Sequence, residues 1–226
     1  MYWIVVGDVH ESTGMFKRIP GIAEAEALII SGDLTNRGGP TQAEVVMSAA
    51  LSANPRVLAQ VGNMDGPSVT EHLALRGQNI HRQALLLAPS LALMGVGCSI
   101  TTPFGTPSET TEQEMAVWLA ETHAKAKSLA YPHGERGGHI LAIIHNAPHG
   151  TRLDRLPNGM NVGSTAVRAF LEDAQPDICV CGHIHEGLGE ERLGRCHVLN
   201  PGLLDDGGFI RVELRDGRLS ASLGQI

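Results

Sequence analysis

Short apolar runs alternate along the chain with longer segments that have helical periodicity. The runs are rich in valine, isoleucine and leucine, a composition that predicts strands buried on both faces. Five of them are Tyr2–Val6, Ala27–Ile30, Arg56–Val61, His139–Ile144 and Asp177–Cys181. Residues 84–97 predict two further strands on either side of Pro89–Ser90, and the chain after Gly187 predicts a β-rich tail.

The segments between the runs carry helix start signals and buried stripes. Three of them match the capping box, in which a hydroxyl and a carboxylate satisfy free backbone amides reciprocally: Thr41–Glu44, Ser68–Glu71 and Thr111–Glu114. Largely apolar positions then repeat at i, i+3, i+4 and i+7 in two helices, at Met115, Trp118, Leu119 and Thr122 and at Val167, Phe170, Leu171 and Ala174. No linker, repeat or low-complexity segment divides the chain. We therefore expect a layered α/β fold in a single domain, 1–226.

Composition narrows the range of partners and locations. The net charge of −7 argues against a broad basic face for nucleic acid, so nucleic acid is an unlikely partner. No apolar stretch approaches the length of a transmembrane helix and no leader-like segment opens the sequence, so no membrane association is expected. The four cysteines (98, 179, 181 and 196) lie in apolar contexts, which favours a reduced, cytoplasmic location.

Each of the five runs is followed at its carboxyl end by a side chain that can bind a metal. These side chains are Asp8 and His10, Asp33, Asn63, His145, and His183 and His185. In open α/β sheets the carboxyl ends of the strands form the edge where ligands bind. In extended chain, alternation would direct His183 and His185 to the same side.

Taken singly, these motifs are weak. A Gly-Asp after a strand is usually only a turn, and His145 alone would more often be a hydrogen-bonded core histidine than a ligand. Together they form a set of two carboxylates, one amide and four imidazoles, too many for one tetrahedral zinc site and suited to two ions that share a bridging carboxylate. Such a mixed N/O set suits Mn, Fe, Zn or Co without selecting among them. Cys181 shares the spacing of the two histidines, but a zinc cluster with Cys179 and Cys181 is rejected because buried cysteines are common.

In their order along the chain, the motifs Asp8-x-His10, Gly-Asp33, Gly-Asn63-x-Asp65, His145 and Gly-His183-x-His185 resemble the calcineurin-like metallophosphoesterase superfamily. Asn200-Pro201-Gly202 resembles its small prokaryotic phosphodiesterase-like members. The resemblance implies a four-layer α/β/β/α sandwich with two facing mixed β-sheets and a dimetal site at the strand ends. It further implies that Asp8, His10 and His185 bind the first metal, that Asn63, His145 and His183 bind the second, and that Asp33 bridges them.

One position departs from the family pattern. Many members have a histidine after the Gly-Asn pair, partnered by the following acid, and here that position is Met64 with Asp65 retained. Methionine cannot donate a proton, so one usual catalytic helper is absent. His149 is the candidate substitute, for catalysis and for substrate binding together with Asn63. Residues 101–107 and 152–161, with Arg152 and Arg155, are loops that could rim the site.

These observations predict a metal-dependent phosphoesterase that hydrolyses small phosphate esters, preferentially phosphodiesters, by attack of a metal-bound hydroxide. A nuclease is an alternative that the acidic balance disfavours. The alternative outside the enzymes is a non-catalytic metal-binding scaffold of the same fold. The oligomeric state is not predicted.

Overall fold

The computed structural model describes residues 1–132 and 137–226. In chain order its strands are β1 (Tyr2–Val6), β2 (Leu28–Ile30), β3 (Val57–Ala59), β4 (Gln83–Ala88), β5 (Leu91–Val96), β6 (Ser99–Ile100), β7 (Glu109–Thr110), β8 (His139–Ile144), β9 (Ile178–Val180), β10 (Gly189–Leu193), β11 (Cys196–Asn200), β12 (Gly208–Arg215) and β13 (Arg218–Gln225). The helices are α1 (Pro40–Ala53), α2 (Ser68–Leu75), α3 (Glu112–Ala130) and α4 (Thr165–Ala174), with short 3-10 turns at Thr13–Arg18, Arg152–Asp154 and His185–Gly187.

Two mixed sheets carry most of the strands. The first has the order β13-β12-β1-β2-β3, with β1, β2 and β3 parallel and β12 antiparallel to β1. The second has the order β10-β11-β9-β8-β5-β4, with β11, β9, β8 and β5 parallel and both edge strands antiparallel to their neighbours. Strands β6 and β7 form a separate parallel pair.

Three apolar clusters fill the spaces between four layers. Strand β1 shows why: Ile4 and Val6 pack toward the helices α1 and α2, whereas Trp3 and Val5 pack toward the second sheet. The outer face of the second sheet packs against α3 and α4 in the third cluster. Alternate residues of one strand enter different clusters, so every position of the strand is buried and the apolar runs are continuous. The three clusters together confirm the predicted four-layer α/β/β/α sandwich.

The predicted helix starts are partly wrong. The box at Thr111–Glu114 is confirmed, since the Thr111 hydroxyl accepts from the Glu114 amide at 3.1 Å. Helix α1 instead begins at Pro40, a residue whose fixed φ suits the first helical position, and the Gln42 side chain accepts from the amide of the capping residue Gly39. Helix α2 begins at Ser68 itself, so Ser68 is not its cap. In both cases the serine or threonine of the predicted box lies inside the first turn.

Other local predictions hold. The pair β4 and β5 flanks Pro89–Ser90, and β12 and β13 are joined at Asp216–Gly217 as predicted. All four cysteines are free thiols. Within the described ranges, no helix combines the length and the apolar content that crossing a bilayer would require.

Candidate metal centre

The carboxyl ends of strands from both sheets meet at one edge of the sandwich. Strands β1, β2 and β3 lead from the first sheet into the segments that carry Asp8, His10, Asp33 and Asn63. Strands β8 and β9 lead from the second sheet to His145, His183 and His185. A chain of contacts of 2.7–3.7 Å links all seven side chains. The structure thus brings together every residue predicted from the strand ends, while their role as ligands stays a prediction.

The first group of donors is compact. Ligand atoms of Asp8, His10, Asp33 and His185 all lie within 4.8 Å of one another, a separation from which they could hold one metal ion. The Nε2 atoms of His10 and His185 are 3.2 Å apart, and Asp8 Oδ1 lies 3.5 Å from His185 Nε2. We call Asp8, His10 and His185 the first triad.

The second group lies deeper. Asn63 Oδ1 lies 2.7 Å from His183 Nδ1 and 3.2 Å from His145 Nε2. We call Asn63, His145 and His183 the second triad. Asp33 Oδ2 is 3.5 Å from His145 Nε2 and 3.7 Å from His10 Nε2, so a single carboxylate oxygen faces both triads.

Backbone strain concentrates at these residues. Asp8, His10, Asp33 and His183 have φ values of 46°, 44°, 51° and 69°, a left-handed conformation that L-residues other than glycine adopt infrequently. Such strain persists only where the surrounding structure enforces it, and it is typical of ligand-binding sites. Four of the seven predicted ligands share it.

Two glycines allow the close packing of the carboxylates. A Cβ atom on Gly182 would lie 2.6 Å from Asp8 Oδ2, and one on Gly62 would collide with the Asp33 carboxylate. The glycines of the Gly-Asn and Gly-His motifs therefore leave room for the carboxylates as well as allowing the chain to reverse direction.

Buried charge shapes the protonation of the centre. Burial alone would raise the pKa of Asp33, but the neighbouring His145 imidazole holds it below its usual value. Burial opposes the charge of His145 as well, yet Asp33 and Asp8 raise the pKa of His145 to about 9. Burial and the charge of His145 lower the pKa of His183 to about 4, which leaves His183 in the neutral form that binds metals.

The donor set fits divalent cations. Asp8 and Asp33 are 0% and 2% exposed. Among the described residues, the only basic side chains within 4.0 Å of their carboxylates are imidazoles, with no lysine or arginine. Buried carboxylates require a compensating positive charge. Oxygen and imidazole donors without thiolate supply the ligands that Mn, Fe, Zn or Co ions accept.

Asp65 is the acid that, in the family pattern, partners the histidine replaced here by Met64, and in this structure it has a different role. Its Oδ1 accepts from the amide and the hydroxyl of Thr35, and its Oδ2 accepts from the amides of Gly62 and Leu34. Burial and the nearby Asp33 raise the pKa of Asp65 to about 6. Both oxygens thus join the Asp33 loop to the Asn63 loop, and neither is left to orient a side chain at position 64. The amide of Met64 donates to Asp33 Oδ1 at 2.7 Å, so Met64 holds the candidate bridge through its backbone.

His149 lies apart from the cluster in its described contacts. Its ring is 44% exposed and its Nδ1 lies 3.6 Å from the buried Asp154. No contact with either triad is found for it within the described residues, so its role stays a prediction. The loop at residues 101–107 is tied to the site, since Arg37, near Asp33 in sequence, donates to the carbonyls of Phe104 and Gly105.

Sequence reasoning missed Asn36 and the supporting role of Asp65. Asn36 Oδ1 lies 2.8 Å from His10 Nδ1, and the side-chain Nδ2 of Asn36 donates to the His10 carbonyl, so Asn36 fixes the orientation of this imidazole. A partner on the second ring nitrogen is the usual support of a metal-binding histidine. The contact joins two loops, and no local spacing in the sequence indicates it.

The fold and the site together define a two-sheet α/β protein with a candidate metal centre at the strand ends. A sequence profile of the calcineurin-like phosphoesterase superfamily domain matches residues 1–211. The chain belongs to this superfamily of metal-dependent phosphoesterases, which confirms the resemblance seen in its motifs, and members of the superfamily typically bind two divalent metals.

Two similar proteins extend this result. Uncharacterized protein MJ1162 of Methanocaldococcus jannaschii is 32% identical over 181 residues, which cover 78% of this chain and 77% of that protein. The crystal structure of TT1561 of Thermus thermophilus has a TM-score of 0.68 at 17% identity and covers 98% of this chain and 97% of that one. This structural likeness shows the fold.

Proposed function

We propose that the chain is a dimetal phosphoesterase that hydrolyses small phosphate esters and prefers phosphodiesters. The observation that carries the proposal is the position of Asp33, whose Oδ2 atom lies within 3.7 Å of an imidazole from each triad. A carboxylate placed in this way between two mixed sets of oxygen and nitrogen donors suits a bridge between two cations.

The first triad and Asp33 would hold one divalent ion, and the second triad and Asp33 would hold the other. Two such ions supply charge neutralisation for a phosphate ester and lower the pKa of water. The chain's own residues fix the donors: Asn36 orients His10, the Met64 amide orients Asp33, and Asp65 joins the two loops. The donor set does not separate manganese from Fe, Zn or Co, and we use manganese in the test below.

The preference for diesters rests on Met64. A general acid typically contributes about 10²–10⁴-fold to the departure of a poor leaving group, and methionine cannot supply a proton. Unless His149 takes this part, good leaving groups such as aryl alcohols are favoured. We also propose two substrate contacts: Asn63, which lies in the metal centre, and His149, which is close to the predicted ligand His145 in the sequence.

We further propose that residues 1–226 act as one domain, because both sheets contribute side chains to the centre. A cytoplasmic location is the matching proposal and is consistent with the four free thiols. A nuclease remains the weaker alternative for an acidic chain of net charge −7.

The test is turnover of bis(p-nitrophenyl) phosphate and p-nitrophenyl phosphate by protein loaded with Mn²⁺, with bound metal measured in parallel. We expect two ions per chain, faster diester hydrolysis, and oxygen-18 from labelled water in the phosphate product after a single cycle. Isolation of a phosphorylated protein would contradict attack by water. Metal binding without hydrolysis of any ester in a broad panel would favour the non-catalytic scaffold.

A further inference from the structure

A cavity opens beside the first triad. It has a volume of about 210 Å³, and its lining combines polar side chains with apolar ones: His185, Asp206 and Gln225, and Leu188, Pro201, Leu203 and Leu223. An apolar cavity of roughly 150 Å³ engineered into a protein core accommodates benzene, so this volume suits a single ring. The cavity therefore places a ring-sized space, with leucine and proline on part of its wall, against a predicted metal ligand.

The walls expose apolar surface next to a polar centre. Leu188, directly after the 3-10 turn at His185–Gly187, is 49% exposed, and Leu223 on β13 is 38% exposed. Leaving leucine side chains in water is unfavourable by roughly 25 cal/mol for each Å². Concave apolar surface that adjoins convergent polar groups is typical of a binding site for the organic part of a ligand.

Asn200 fixes the part of the cavity wall that Pro201 and Gly202 form. This residue is fully buried, its side-chain amide donates to the Ile184 carbonyl at 2.9 Å, and its Oδ1 accepts from the Gly202 amide at 2.8 Å. Gly202 has a φ of 68°, which glycine adopts without strain. Asn200 thus holds Pro201 and Gly202 at a set distance from the segment that carries His185, so hydrogen bonds fix this part of the cavity wall.

We propose that this cavity binds one organic group of a phosphodiester, an aromatic or similarly sized apolar ring, while the phosphate lies at the metal centre. The inference rests on the proposed function and specifies its substrate class. Leu188 and Leu223 contact the ring, and the single-ring volume excludes larger groups from full burial.

The test compares two phosphonates that cannot be hydrolysed. Phenylphosphonate and methylphosphonate carry the same charged head and differ in the ring, so calorimetric titration of each into Mn²⁺-loaded protein isolates the cavity. We expect phenylphosphonate to bind about tenfold more tightly, from partial burial of the ring.

Two variants and one control locate the effect. L188W fills the cavity, and L223D adds a second carboxylate to a wall that already carries Asp206. Both variants should weaken phenylphosphonate binding more than methylphosphonate binding and so bring the two affinities to within twofold of each other. L75W alters a leucine on α2 that is 83% exposed, and it should keep the tenfold preference.

The outcomes separate the two proposals. Equal binding of both phosphonates to the wild-type protein would overturn the cavity proposal and leave the phosphoesterase proposal standing. A preference that survives in L188W and in L223D would do the same. If neither phosphonate binds, the metal centre does not receive a phosphate head and both proposals fail.

Discussion

Strand β8 has a histidine near each end, and each histidine faces an aspartate of another element. At the amino end, His139 Nδ1 lies 3.0 Å from Asp177 and its Nε2 lies 2.9 Å from the Gly217 carbonyl. Just beyond the carboxyl end, His145 Nε2 lies 3.5 Å from Asp33, while its Nδ1 is buried without a hydrogen-bond partner among the described residues. In both cases burial opposes protonation and neighbouring acceptors raise the pKa of the histidine.

The two pairs contain the same residue types and differ in whether their buried polar atoms all have hydrogen-bond partners. The pair at the amino end uses both ring nitrogens, and Asp177 also accepts from the Ile140 amide, so this network is complete. The pair at the carboxyl end combines a fully buried imidazole, an unpartnered nitrogen and a strained aspartate. A complete network stabilises the fold, whereas buried polar groups left incomplete and strained indicate a site that acts on a ligand.

The largest effect should come from removing the aspartate at each end in turn. Asp33→Ala should abolish binding of both ions and lower kcat/KM by about 10³-fold or more, because one carboxylate serves both triads. Asp177→Ala, the matched control, should lose stability but keep full metal content and activity. Metal analysis and kinetics check both variants. An Asp33→Ala protein that retains two ions would show that this aspartate is not the bridge.

Asp65 tests whether the role of an aspartate is decided by its distance from the metal centre or by the hydrogen bonds that its carboxylate already makes. Asp65 lies beside the centre, yet its carboxylate accepts four hydrogen bonds. Asp65→Asn turns one acceptor atom into a donor that faces other donors, so we expect a loss of about 2–4 kcal/mol in the free energy of unfolding. Urea denaturation of metal-free protein measures it, with the exposed Asp173→Asn on α4 as control. A loss below about 0.5 kcal/mol would show that the two loops are held by other contacts.

The features that depend on patterns within one segment of the chain could be predicted from the sequence. Continuous apolar runs rich in valine, isoleucine and leucine predicted strands buried on both faces, and the side chains after those runs predicted the seven residues that meet at one edge. The helix starts at α1 and α2 were missed because a hydroxyl and a carboxylate at capping spacing also fit inside a first turn when Pro40 or Pro67 precedes them.

Contacts between distant segments could not be read in the same way. Asn36 reaches His10 from another loop, and Asp65 binds the amides of Leu34 and Thr35, about thirty positions earlier. Such partners depend on how the loops fold onto each other, and no spacing within either segment encodes them. For the same reason the family pattern, in which this acid partners a histidine at position 64, does not reveal that Asp65 joins two loops here.

The pair at the amino end of β8 should show its nature through pH. The folded-state pKa of His139 is raised above 6.5, so its stabilising effect is complete below pH 6.5 and is lost as the pH rises through that higher value. His139→Ala should therefore lose about 0.5–1 kcal/mol at pH 5.5, and less at pH 9.

The control for that measurement has the opposite sign. Burial and the neighbouring Lys127 lower the pKa of His123, so at low pH the wild-type protein loses stability relative to His123→Ala. Unfolding free energies of the three proteins between pH 5 and 9 give both differences. A His139→Ala difference that is constant with pH would mean that Asp177 and Gly217 do not favour the charged imidazole.

The smallest effect is expected at Met64, where the family pattern alone would suggest a large one. A histidine there would need a partner to hold its ring toward the leaving group, and the four donors on Asp65 leave no lone pair free for that purpose. Met64→His should therefore raise kcat/KM by less than about threefold, far below the 10²–10⁴-fold of a positioned acid.

The measurement is kcat/KM against leaving-group pKa for a series of aryl and alkyl diesters, with Met64→Leu as the control for the loss of the thioether. We expect parallel slopes for the three proteins, since an unoriented imidazole cannot help poor leaving groups selectively. A slope that flattens only in Met64→His, with a gain above tenfold for alkyl esters, would show that Asp65 exchanges its loop contacts for the new imidazole and that a satisfied carboxylate beside the centre can still be recruited to catalysis.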